Sequence, residues 1–155
     1  MEQLDALNQV AEFHRTFKHP IEPTPLIPAP ERCRLRVSLL REELQELEDA
    51  IADNDLVEVA DALCDIQYVL AGAVLEFGLG EKFRALFDEV QRSNMSKTCK
   101  NLEEAEATVA HYEAKGTSCY IHKEGKHWLV YRKGDNKTLK SVKYSPADIV
   151  GLLKA

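Results

Sequence analysis

The sequence predicts an all-α core followed by a small C-terminal α+β hairpin appendage. Three observations carry this: helical apolar periodicity recurs through four segments before residue 100, β-type alternation appears only after it, and the breaks hold residues that stop helices. A chain of 155 residues, 45% hydrophobic, is long enough for one well-buried core and a small addition, but not for two full domains.

Leu4, Leu7, Val10, Ala11, Phe13, His14 and Phe17 recur at helical spacing and predict a first amphipathic helix over residues 4–17. Five prolines follow between Pro20 and Pro30, so this stretch is an extended connector over the surface or across the mouth of a site. A second helix is predicted from Glu31 to about Asn54. Asp53-Asn54-Asp55 then breaks the chain, with Asp55 as N-cap of a third helix from Leu56 to Phe77. Gly78-Leu79-Gly80 ends it, and residues 81–93 give a fourth. Leu102 to Lys115 reads as a short helix stopped at Gly116, and Ser118–His122 and Trp128–Arg132 as two strands joined by Lys123-Glu124-Gly125-Lys126. Gly134-Asp135-Asn136-Lys137 marks a turn, and Ser145-Pro146-Ala147-Asp148 caps a last short helix through Leu153. The expected division is a helical core over residues 1–100 and an appendage with a tail over 101–155.

A formal charge of −6 disfavours nucleic acids and anionic membranes as partners. Cys33, Cys64, Cys99 and Cys119 form no C-x-x-C pair, so neither a zinc site nor a disulfide framework is indicated, and Cys64, inside an apolar run, reads as a small core residue. Met1-Glu2-Gln3-Leu4-Asp5 lacks the basic and apolar regions of a leader, and no apolar stretch approaches the roughly 18 residues of a membrane span. A soluble, cytoplasmic protein is expected. Tyr120, Trp128 and Tyr131 suggest a hairpin that buries one face rather than a nucleic-acid platform, and its role is unassigned.

Carboxylates carry the functional signal. On a wheel of about 100° per residue, Leu35, Leu39, Leu40, Leu44, Leu47, Ala50 and Ile51 share one apolar face of the second helix, with Glu43 in its middle and Glu46 one turn on. An ionised carboxylate on such a stripe is costly unless a cation or donors satisfy it. On the third helix, apolar around most of its circumference, Glu58, Asp61 and Asp65 fall in one narrow band. Like charges so stacked repel unless a divalent ion sits among them. Helices joined by a short turn pack antiparallel, so the two acidic sets can face one cavity. Oxygen-only ligands suit Mg²⁺ or Mn²⁺ rather than Zn²⁺. The plainer reading, a solvated acidic face, weighs most for Glu42, Glu48 and Glu58 and least for Glu43, Asp61 and Asp65.

The runs Leu40-Arg41-Glu42-Glu43-Leu44-Gln45-Glu46-Leu47, Val59-Ala60-Asp61-Ala62-Leu63-Cys64-Asp65-Ile66-Gln67-Tyr68-Val69 and Glu89-Val90-Gln91-Arg92-Ser93-Asn94-Met95-Ser96-Lys97 resemble the MazG-like all-α NTP pyrophosphohydrolases. The similarity is closest to the phosphoribosyl-ATP pyrophosphohydrolase-like branch, spans roughly residues 10–100 and resumes in Lys137–Asp148. It implies a four-helix MazG-like core and Mg²⁺-dependent cleavage between the α- and β-phosphates of a nucleoside triphosphate, giving a monophosphate and pyrophosphate. The family's E-x-x-E falls on Glu43 and Glu46. Its E-x-x-D is broken: with Asp65 as the closing acid the Glu position holds Ala62, and Asp61 is the nearest substitute, whereas Glu58 with Asp61 would leave Asp65 surplus. Asp61 with Asp65 is preferred, because Asp65-Ile66-Gln67-Tyr68 resembles the family's continuation.

The expected metal ligands are thus Glu43, Glu46, Asp61 and Asp65, with Glu42 positioning or deprotonating the attacking water. Asn94 and Lys97 are expected to hold phosphate or ribose, as in similar proteins. Phe13, His14 and Phe17 are read as core rather than as base contacts. Two other readings stay open: hydrolysis of phosphoribosyl-ATP in histidine biosynthesis, and a non-catalytic helical interaction module. The apolar circumference of the third helix, together with the resemblance, points to a homo-oligomer, a dimer or larger.

Overall fold

Local sequence chemistry sets most element boundaries in the computed structural model, which describes residues 4–154. The acidic start at Met1-Glu2-Gln3 lies outside the described residues. The chain divides into two compact units between Phe83 and Arg84. It is mainly helical with one antiparallel hairpin, the expected class.

The first unit holds α1 (Ala6–Phe17), α2 (Pro30–Ala52) and α3 (Leu56–Glu76). Lys18, at φ 60°, ends α1 in the left-handed conformation common after helices. Pro30 opens α2 at a position where its missing N–H costs nothing. Asp55 caps α3 as expected, its carboxylate accepting from the N–H groups of Val57 and Glu58 at 2.9 and 3.2 Å. The proline connector crosses the C-terminal end of α3, where the N–H of Glu22 donates to Leu75 O at 3.0 Å and that of Leu26 to Phe77 O at 3.1 Å. Carbonyls that a helix end leaves unsatisfied are thereby bonded. Gly78, at φ +66°, permits this approach, since a Cβ there would stand 1.9 Å from Thr24 O.

Val10 and Ala11 of α1 pack against Ala71 and Leu75 of α3, flanked by Ala6, Leu7 and Ile21. Beside this apolar cluster lies a buried charge, Glu76, only 1% exposed. Its carboxylate accepts from Arg36 Nε at 2.9 Å and Arg32 Nε at 3.0 Å, and the Nη2 groups of both arginines close the ion pairs. His14, also buried, donates from Nδ1 to Pro20 O at 2.8 Å, which leaves Nε2 free to accept from Arg36 Nη2 at 3.4 Å. Gly72 makes room for the network, because a Cβ there would meet Arg36 Nη1 at 2.8 Å and His14 Nε2 at 3.1 Å.

The apolar stripe of α2 is not a buried face in the single chain. Leu44 and Ile51 are exposed, as are Leu56, Val57 and Leu63 of α3. Cys64, expected in the core, is exposed too. Periodicity marks Cys64 as one of an apolar set, but α1 and α2 cover only part of the circumference of α3 and leave its side open.

The second unit holds α4 (Phe83–Met95) from its second residue onward, α5 (Leu102–Glu113), β1 (Cys119–Glu124), β2 (His127–Arg132) and α6 (Ile149–Lys154). The strands run closer to the turn than expected and pair in register from Cys119↔Arg132 to Glu124↔His127. Gly125, at φ 55°, makes the two-residue connection possible. Cys99, Ala105, Cys119, Val130 and Leu139 form the core here, with Val109 and Tyr112 of α5 packed against it. Asn101 caps α5 by accepting from the N–H of Glu104 at 2.9 Å, and Asp148 accepts from that of Gly151 at 2.9 Å at the start of α6.

Removing the Glu76 carboxylate leaves the buried Arg36 guanidinium and the half-buried one of Arg32 without their counter-charge. Glu76→Ala is therefore expected to cost about 3–5 kcal/mol, read as a fall in the urea midpoint. Burial, followed by the charge of Arg36, lowers the pKa of His14 from 6.5 despite the bond to Pro20. Below 6.5 the unfolded chain binds a proton at this residue that the native state refuses. Stability is expected to fall between pH 7.5 and 5.5, and His14→Gln to flatten that slope.

Candidate functional site

The acids singled out on α2 and α3 differ in their surroundings. Glu43 is half-buried, and its Oε2 is fully covered without a hydrogen-bond partner. Burial first, and then the charges of Glu46, Asp65, Glu42 and Asp61, push its pKa above the usual carboxylate range. Four acids therefore act on a fifth, Glu43. Glu42, Glu46, Asp61 and Asp65 are exposed, and Glu58 stands in the first turn of α3 with its N–H on Asp55. Among the described residues, no three His, Cys, Asp or Glu side chains are drawn together closely enough to hold a metal ion. An unpartnered buried oxygen amid acidic neighbours nonetheless fits a hard cation, which would satisfy the oxygen and offset the repulsion.

One turn along the same helix pair lies a cavity of about 210 Å³, lined by residues of α1, α2 and α3 and by His19. Leu39 precedes Glu43 by four residues and Val69 follows Asp65 by four, which puts the cavity about 6 Å along the helices from the carboxylates. Its walls are apolar and aromatic, from Val10, Phe13, Leu35, Leu39, Tyr68 and Val69, with Arg32, Arg36 and His14 on the polar side. The Phe13 ring meets Tyr68 edge-on at 5.7 Å and stacks on His19 at 5.8 Å. Phe13 and His14, read from sequence as core, line this pocket. Phe17, 61% exposed, packs on Phe13 with ring centroids 4.4 Å apart.

Sequence reasoning passed over Arg32, Arg36 and Glu76. The available signal was Glu76 itself, an acid closing the apolar run Ala71-Gly72-Ala73-Val74-Leu75. Asn94 and Lys97 belong to the second unit, at the end of α4, where Lys97 Nζ donates to Asn94 Oδ1 at 2.8 Å. There α4 is tied to the following chain: Ser93 Oγ donates to the Tyr144 hydroxyl at 3.1 Å, and the Asp148 N–H donates to Glu89 at 2.8 Å. Arg92 and that N–H hold the Glu89 pKa down to about 2. No helix among the described residues is long and apolar enough to cross a membrane.

Comparison with known proteins bears on this arrangement. An uncharacterized protein of Acanthamoeba polyphaga mimivirus is 33% identical over 96 residues, which cover 59% of this chain. The match spans only 38% of the viral protein's length. The model of the family described as phosphoribosyl-ATP pyrophosphohydrolase matches residues 10–94, so it takes in the pocket, all five acids and Asn94, and stops short of Lys97, the hairpin and the 137–148 tail. A match over more than half of the chain, covering every residue of the α1–α3 site, shows that this protein belongs to the phosphoribosyl-ATP pyrophosphohydrolase family.

Proposed function

We propose that the chain is a Mg²⁺-dependent nucleoside triphosphate pyrophosphohydrolase that cleaves between the α- and β-phosphates, with Mn²⁺ able to replace Mg²⁺. The observation that carries this reading is the covered, unpartnered Glu43 Oε2, crowded by four other carboxylates one turn from a base-sized cavity. The cavity falls below the roughly 300 Å³ at which sites for whole small ligands begin. A nucleobase would fill it, and the triphosphate would extend along α2 and α3 toward the acids.

Glu43, Glu46, Asp61 and Asp65 would hold the cation. The proximity of Asp61 and Asp65 to Glu43 favours them over Glu58 as the contribution of α3. When bound, the metal neutralises phosphate charge and makes its water more acidic. Glu42, turned about 100° from Glu43 and exposed, orients the attacking water or takes its proton. Phe13 and Tyr68 present ring surface to the base, and Arg32 and Arg36, held by Glu76, present positive charge at the cavity. Asn94 and Lys97, which bond each other in the second unit, carry amide and ammonium groups suited to phosphate or ribose.

The family description supports a second substrate, phosphoribosyl-ATP, which calls for the same metal chemistry. Pyrophosphate release across a panel of ribo- and deoxynucleoside triphosphates and phosphoribosyl-ATP decides between them. Release from none of these would remove the enzymatic reading and leave the interaction module.

Glu42→Gln keeps side-chain volume and removes the base, so kcat should fall by about 10²–10⁴ while Mn²⁺ affinity, measured by calorimetry, barely changes. Glu43→Gln should lose both. Turnover of Glu42→Gln within about threefold of wild type would show that Glu42 is a solvated helix acid. Asp65→Asn is expected to abolish turnover and leave the helical circular dichroism intact.

The exposed apolar residues of α2 and α3, with Leu56 at 79% and Val57 at 76% exposure, support a homo-oligomer in which a second copy covers them. Light scattering at micromolar concentration is expected to give at least a dimer, and Val57→Glu with Leu63→Glu to shift it toward monomer. A monomer mass for the wild type would overturn this.

A further inference from the structure

We infer that the outer face of the β1–β2 hairpin binds single-stranded nucleic acid, a role independent of the hydrolytic site. Strand pairing puts Tyr120 beside Tyr131 and His122 beside Leu129 on one face, while Cys119, Ile121, Trp128 and Val130 belong to the face packed on α5. Thr138 bridges to Tyr131 and extends the outer face by one residue. Three rings form a row there: Tyr120 and Tyr131 have centroids 5.7 Å apart, and His122 and Tyr131 6.4 Å apart. The row is fixed in place, because paired strands hold all three rings and the Tyr120 hydroxyl donates to Asn136 Oδ1 at 2.9 Å. Tyr120 is 37% exposed and the His122 side chain 53%.

Charge distinguishes this segment from the rest of the chain. Residues 117–143 hold seven Lys and Arg against two acids, a formal +5 within a protein of −6. Asp135 is ion-paired with Arg132, and Glu124 lies 3.3 Å from His122. Lys126 in the turn, and Lys133 and Lys137 at the other end of the strands, are exposed, and their ammonium groups form no ion pair among the described residues. Rings in a row, tilted by 38° and 49° to their neighbours, with unpaired cations at both ends match an extended, flexible strand, whose bases can each turn to stack on a ring while phosphates meet lysines. A duplex hides its base faces from such a row. An anionic membrane would call for projecting aliphatic side chains, whereas the face has one, Leu129, half-buried. The net charge of the whole chain, which disfavours polyanions, averages over this separation.

Anisotropy of fluorescein-labelled dT12 and U12 with the full-length chain tests the proposal. Saturable binding of either strand at micromolar concentration is expected at 50 mM salt, weakening roughly 20-fold by 200 mM if three lysines displace counter-ions. Tyr120→Ala should weaken binding about fivefold or more, while Tyr120→Phe, which keeps the ring, stays within about twofold of wild type. The triple variant Lys126→Glu, Lys133→Glu, Lys137→Glu should abolish binding and leave nucleotide hydrolysis and the melting temperature unchanged. If Tyr120→Ala fails to fold, His122→Ala serves as the second ring deletion. Absence of binding to both strands at 50 mM salt, equal affinity for duplex, indifference to ring deletion, or binding to phosphatidylserine vesicles in place of oligonucleotides would each overturn it.

Discussion

A carboxylate with no water around it depends on its protein neighbours, and Glu76 is satisfied only when two separate helices are in place. Arg32 and Arg36 on α2 meet it at the end of α3, and Arg36 in turn reaches His14 on α1. Burying an ion pair adds little net stability compared with apolar packing, but breaking one is costly, so such a network penalises wrong packings more than it deepens the right one. Much else in the first unit follows from it. Gly72 must lack a side chain, the connector must bring Pro20 O to His14, and the proline strap then lies where Glu22 and Leu26 bond the last carbonyls of α3.

That same network forms the polar side of the cavity, so the most rigidly held charges of the unit border the space proposed for the base. The acids further along the helices have the opposite character. Glu43 is covered and unpaired, and its neighbours repel it. One end of the helix pair is electrostatically satisfied and the other is frustrated. Frustration of this kind costs folding stability and is relieved by a bound cation, which is the usual relation between stability and a site built for ligand.

The two units invest their aromatic residues differently. Phe13 and Tyr68 line a concave cavity in the first, whereas Tyr120 and Tyr131 stand on an open sheet face in the second. Their surroundings carry opposite charge, acidic along α2 and α3 and basic around the hairpin. The two proposed roles, chemistry on a small anion and attraction of an extended one, would therefore draw on separate residues.

Features set by neighbours in the chain were legible from the sequence: Asp55 caps α3, Gly125 turns the hairpin, and the proline run excludes helix, each through a local steric or hydrogen-bonding rule. The acidic pattern of Glu43, Glu46, Asp61 and Asp65 was legible for a related reason, since helical spacing determines which residues share a face. Periodicity cannot say what covers that face. It placed Cys64 in a core that α1 and α2 leave uncovered, and it read Phe13 as packing where three helices leave a cavity between them. It had no means of pairing Glu76 with arginines 40 and 44 positions away. Sequence by itself determined the helices, their caps and the faces on which charge would lie. Tertiary structure alone decided which charges lost their water, because desolvation depends on contacts between segments distant in the chain.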